Sequence, residues 1–157
     1  MESFQKFDSE EPLMTVHSPT TSAAPTIRLT RTTVVVGAVA ASLLANLVLW
    51  LVGLAAGGDF TMTDPEGVRA SVAPGGVILM TVAPLAVGMT AAVLLSLLWA
   101  PVLRVAEVIG AAAALGTIAG TLSADFDGPS TVTLSLMHVV IAVVLVAALE
   151  GLYRRIR

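Results

Sequence analysis

The 157-residue chain has no cysteine and a single lysine, Lys6, and only 12% of it is charged. Without thiols there is no disulfide exchange, no thiolate chemistry and no Cys-ligated zinc or iron–sulfur site. Soluble domains are usually about a quarter charged, so this chain lacks the material for a water-facing surface. Its formal net charge is -3 with no extended basic run, which excludes phosphate-driven nucleic-acid binding. The catalytic signatures G-x-S-x-G and H-E-x-x-H are missing, as is a Gly-rich phosphate loop followed by Lys. The expectation is therefore a non-enzymatic protein with no cofactor and no metal.

What the chain has is apolar sequence. Hydrophobic residues make up 56% of it. A membrane span needs about 20 mostly apolar residues at ~1.5 Å each. Four stretches qualify: Thr33 to Ala56, Val77 to Trp99, Val102 to Leu122 and Val132 to Leu152. Backbone groups in lipid must be satisfied within their own segment, so the expected fold is all-α, a four-helix transmembrane bundle. The domain reading is a tail over 1–31, a transmembrane domain over 32–153 and a basic end over 154–157. The tail is rich in Ser, Thr, Pro and acids, with too little apolar surface to offset ordering, and reads as disordered.

Orientation follows from the basic residues. With the N-tail, the turn around Pro101 and the C-terminal end on one side, that side holds seven of the eight basic residues, and the other holds only Arg69. Both termini are expected in the cytoplasm, with the lipid bilayer as the principal partner. The first outer loop contains Asp64-Pro65-Glu66-Gly67, with Asp, Pro and Gly at the first, second and fourth positions of a type I turn. Short alternating runs on either side suggest a β-hairpin. The competing reading is a helical turn with Asp64 as N-cap and Pro65 at N1.

Polar residues inside spans are costly and mark structure or function. Asn46 and His138 fall at a similar depth on antiparallel helices, with Trp50 one turn from Asn46 and with Thr81 and Thr117 in the same layer. Such a layer serves either as interhelical glue, worth ~0.6–2 kcal/mol per contact, or as a binding or proton-handling site. The sequence reading pairs Asn46 with His138 and places Trp50 over the pair. Near the cytoplasmic ends, Glu107 and Glu150 read as an ion-pair cluster with Arg31, Arg104 and Arg154, and Glu150 precedes Arg154 by four residues. Small residues recur at helical spacing, as in Ala112, Gly116 and Gly120, which suits packing within the bundle, a homo-oligomer or a partner membrane protein.

Three segments carry a resemblance. They are Ala45-Asn46-Leu47-Val48-Leu49-Trp50, the Gly57-Gly58-Asp59-Phe60 loop and Leu136-Met137-His138-Val139-Val140. Together they resemble a family of small actinobacterial four-span membrane proteins grouped as a domain of unknown function, over roughly residues 30–153. The resemblance implies a four-helix membrane fold in a bacterial plasma membrane and carries no activity or catalytic residue. The expected role is an envelope component that packs with itself or a partner. The alternative is a small transporter or ligand-binding protein built on the Asn46 and His138 layer.

Overall fold

The computed structural model describes residues 30–72 and 74–157. The tail reading falls almost wholly on residues 1–29, which lie outside them. Four helices follow in order: α1 (Arg31–Ala55), α2 (Pro74–Leu95), α3 (Val102–Ser123) and α4 (Gly128–Ile156). A two-stranded antiparallel hairpin, β1 (Thr61–Thr63) and β2 (Arg69–Ser71), joins α1 to α2. Each helix is long and apolar enough to cross a membrane. The surface between the helix ends is itself apolar, with Leu44, Met80, Val87 and Val108 each about two-thirds exposed or more. Outward-facing apolar side chains in that number suit lipid and not water, and the chain is built as a multi-pass membrane protein.

Local chemistry sets the helix ends. Thr30 caps α1, its hydroxyl accepting the Thr33 N–H at 3.2 Å. At the other end Gly57 has φ +90°. Its N–H donates to Leu54 O, and the Gly58 N–H donates to Gly53 O at 2.9 Å. This is the Schellman arrangement, which satisfies carbonyls a helix leaves open and favours glycine at the left-handed position. α2 stops at Leu95, four residues before the expected Trp99, and Leu97 and Leu98 donate back only three residues. Pro101 restricts the residue before it and has no N–H to donate, so the tighter turn ends the helix early. α4 begins at Gly128, four residues ahead of the expected Val132, because Asp127 caps it and Pro129 occupies its first turn. It also runs on to Ile156, so the basic end is mostly helical.

The hairpin forms with Thr61 opposite Ser71 and Thr63 opposite Arg69. Gly67, at φ +81°, donates its N–H to Asp64 O, and the Asp64 carboxylate accepts the Val68 N–H at 2.7 Å. The helical-turn alternative is thereby overturned: Asp64 caps a turn between strands.

α4 is the central helix. It packs against α1 and α3, α1 packs against α2, and α2 and α3 meet far less extensively. Two apolar clusters fill the interior. The larger, at the end of the bundle where α1 begins and α4 finishes, gathers Leu85, Met89, Leu103, Leu145, Leu149 and Leu152. The smaller, at the hairpin end, holds Phe60, Val77, Leu134 and Met137. Buried polar side chains, Ser42, Asn46 and Thr81, also lie within the bundle.

Candidate functional site in the cleft between α2 and α3

Because α2 and α3 diverge, a cleft of about 550 Å³ opens between them, with α4 and part of α1 as its back wall. Its lining runs from Gly76 to Gly88 on α2 and from Gly110 to Thr121 on α3. At 1.5 Å per residue that is a groove about 16–18 Å long. Small residues make the space: Gly76, Gly88, Gly110, Ala113 and Ala114 all line it. The side chain of Leu145 lies against Gly110, where an added Cβ would come within 2.7 Å of it, so α3 and α4 pack tightly at that end.

The lining is mostly apolar, and its polar members are Asn46, Thr81, Thr117, Thr121 and His138. Asn46 is 1% exposed, and its Nδ2 donates to Thr81 Oγ1 at 2.9 Å. The Asn46 Oδ1 atom is buried with no partner among the described residues. His138 does not pair with Asn46. Its Nδ1 lies 2.8 Å from Leu134 O, and since a carbonyl only accepts, Nδ1 carries the proton. The Thr117 hydroxyl donates to Ala114 O at 2.6 Å and that of Thr121 to Thr117 O at 3.4 Å. Four of the five residues of the sequence-derived layer, Asn46, Thr81, Thr117 and His138, thus border one cleft, but the expected Asn46–His138 pair is replaced by Asn46–Thr81. Depth follows from position along a helix, whereas pairing follows from the rotation of each helix about its axis.

Trp50 lies outside the cleft. Its ring packs 6.4 Å from that of Phe60, in the hairpin-end cluster. Phe60 itself is 1% exposed and holds φ +53°. The structure makes this ring the apolar plug of the hairpin end. Two polar contacts hold it there. Ser130 Oγ accepts the Phe60 N–H at 2.9 Å, and Asp127 Oδ2 accepts the Asp59 N–H at 2.8 Å. Asp127 also accepts the Ser130 N–H at 2.7 Å. Its pKa is drawn down to about 2, first by the Asp59 N–H and then by the Ser130 N–H. Asp125 is held below its ordinary value first by the Thr63 hydroxyl and then by the Thr63 N–H. Arg69 lies 3.5 Å from Asp59 and 3.9 Å from Asp125, and also donates to Thr61 Oγ1. The sequence signal for this network was available in Asp127-Gly128-Pro129-Ser130, a helix-start pattern.

At the opposite end Arg104 donates to Glu150 Oε1 at 2.9 Å, and Arg154 Nε donates to the same oxygen at 2.6 Å. Arg104 also lies 3.9 Å from Glu107 and stacks 4.8 Å from the Tyr153 ring centre. Arg31 makes no ion pair with any described residue, and its Nε is buried without a partner among them. The cluster therefore joins α3 to α4 without α1. Among the described residues no three His, Asp or Glu side chains converge as metal ligands.

No curated protein and no solved structure matches the chain. A match to the family of unknown function DUF6069 covers residues 23–155, which include all four helices, the hairpin and the cleft, and the chain belongs to that family.

Proposed function

We propose that this chain is a non-enzymatic multi-pass protein of a bacterial plasma membrane, with both termini cytoplasmic, that takes an apolar guest from the bilayer into the α2/α3 cleft. The cleft itself carries the reading. Its volume of about 550 Å³ falls within the ~300–1,000 Å³ of small-molecule sites. It is walled by apolar side chains and contains a few polar groups, the usual composition of a binding pocket. The distribution of Arg and Lys supports the orientation.

The test fills the cleft. Gly88 lines it, and nothing lies within 4 Å of where a Cβ would stand. The Cβ of Gly88→Leu is therefore placed without displacing a neighbour, and the rest of its side chain narrows the cleft. Native mass spectrometry of the purified protein should find a bound apolar molecule on the wild type and little on Gly88→Leu. Equal retention by both refutes the reading.

A second reading, association with another copy or a partner membrane protein, rests on α3. Ala112, Gly116 and Gly120 are exposed, and no atom lies within 4 Å of a Cβ built at either glycine. Small residues in this spacing let helix backbones approach closely. Gly116→Leu should then abolish association measured by cross-linking in vesicles. A wild-type chain that stays monomeric across protein densities removes this second reading.

A further inference from the structure

The polar atoms of the cleft are not equivalent. At Asn46, Thr117, Thr121 and His138 a donor already faces a protein acceptor: Thr81 Oγ1, Ala114 O, Thr117 O and Leu134 O respectively. Thr81 Oγ1 accepts from Asn46 and keeps its own proton without a described acceptor, which the oxygen of a hydroxyl guest can take. Two acceptors remain without a described partner. One is Asn46 Oδ1. The other is His138 Nε2, the acceptor nitrogen of an imidazole whose Nδ1 donates to Leu134 O.

A buried acceptor left unmatched is costly, and a guest that supplies a donor recovers that cost. A charged donor is excluded by depth, because Thr81 lies about 10 Å along α2 from its first turn and ionised groups are expensive there. Resting on the apolar-guest reading above, we infer that the cleft selects an uncharged long-chain amphiphile bearing a hydroxyl donor. The hydroxyl donates to His138 Nε2 or Asn46 Oδ1, and the chain lies along the groove between Gly76 and Gly88. His138 is partly exposed and is engaged first. Asn46 Oδ1 is sealed from water, so its engagement includes a small side-chain adjustment.

The experiment uses the full chain in nanodiscs and a twelve-carbon alcohol carrying a diazirine on its chain. Photolabelling should map to cleft residues such as Met80, Met137 and Ile141. Unlabelled dodecanol and dodecyl methyl ether then compete at matched membrane concentrations. The ether has the same chain but no donor. Dodecanol should displace the probe at roughly threefold to tenfold lower concentration, the effect of one hydrogen bond. His138→Phe and Asn46→Leu should each narrow that gap while labelling persists, and His138→Phe carries the test if Asn46→Leu does not fold. Equal potency of alcohol and ether, with labelling still blocked by Gly88→Leu, overturns the hydroxyl selectivity and leaves the apolar cleft standing. Labelling untouched by Gly88→Leu overturns both. Inter-chain cross-links through the cleft that exclude the probe would make a second copy the occupant, and would also overturn the inference.

Discussion

Gly53→Ala tests the packing of the hairpin end most directly. In most helices this exchange is favourable, by up to ~1 kcal/mol. Here the new Cβ would stand 2.5 Å from Phe60 Cζ, 2.7 Å from Thr133 Oγ1 and 3.0 Å from Thr133 Cγ2. A free phenyl ring would swing aside, but Phe60 is 1% exposed and its N–H is tied to Ser130. Overpacking of this kind costs ~1–3 kcal/mol. Set against the propensity gain, the net loss should be about 1–2 kcal/mol. Gly37→Ala on the same helix is the control, because nothing lies within 4 Å of its Cβ position. It should be neutral or stabilising. Phe60→Leu removes Cζ and should rescue Gly53→Ala, so that the double mutant loses less than the sum of the singles. Stability can be followed by SDS titration in mixed micelles. Hydrogen exchange at Val72, whose N–H donates to Phe60 O at 2.8 Å, reports the hairpin end specifically. A Gly53→Ala protein as stable as Gly37→Ala would refute the account.

Thr81→Val removes the partner of Asn46 Nδ2 and leaves both ends of a buried amide unmatched, so it should cost ~1–3 kcal/mol by SDS titration, more than Asn46→Leu, which removes the amide itself. The lowered pKa values of Asp125 and Asp127 give a pH dependence of defined sign. The stability Asp127 contributes is full above the ordinary carboxyl value of 3.8 and is lost as pH falls toward about 2, and Asp125 contributes with the same sign. Exchange at Asp59, Phe60 and Thr63 should therefore accelerate over that window in the wild type, and Asp127→Asn should flatten the response. Glu150→Gln should cost under ~1 kcal/mol, because the Arg104 and Arg154 side chains are half or more exposed, and a larger loss would show that the cluster is screened from water. The membrane orientation is tested by single cysteines at Glu66, in the exposed hairpin turn, and at Arg157. An impermeant reagent applied to intact cells should label the first and spare the second.

The legible parts of the fold were those written in local chemistry. The Asp64-Pro65-Glu66-Gly67 turn was readable because its residues carry their own backbone preferences. The Arg154–Glu150 bond was readable because a helix places residues four apart on one face. Arg31 was misjudged because sequence places it at the right depth and says nothing of which way α1 faces. The end of α2 was misplaced because an apolar run continues past the point where Pro101 tightens the turn. The burial of Phe60 was not legible because it depends on Gly53, Ser130 and Thr133, contacts that join α1 and its loop to the start of α4.

Sequence by itself determined that there are four helices, where the ends of α1 and α3 fall, that a turn at Asp64-Pro65-Glu66-Gly67 lies between the first two, and that the surface is apolar. Each follows from runs, caps and turn residues acting over a few positions. Only the tertiary structure decided that α2 and α3 diverge, that Asn46 bonds Thr81 and not His138, and that acceptors are left unmatched beside the resulting cleft. Rise along a helix fixes the depth of a side chain. Its azimuth, and hence its partner, is set by the packing of Gly, Ala and Leu surfaces from segments far apart in the chain, where no short stretch of sequence holds both sides of the contact.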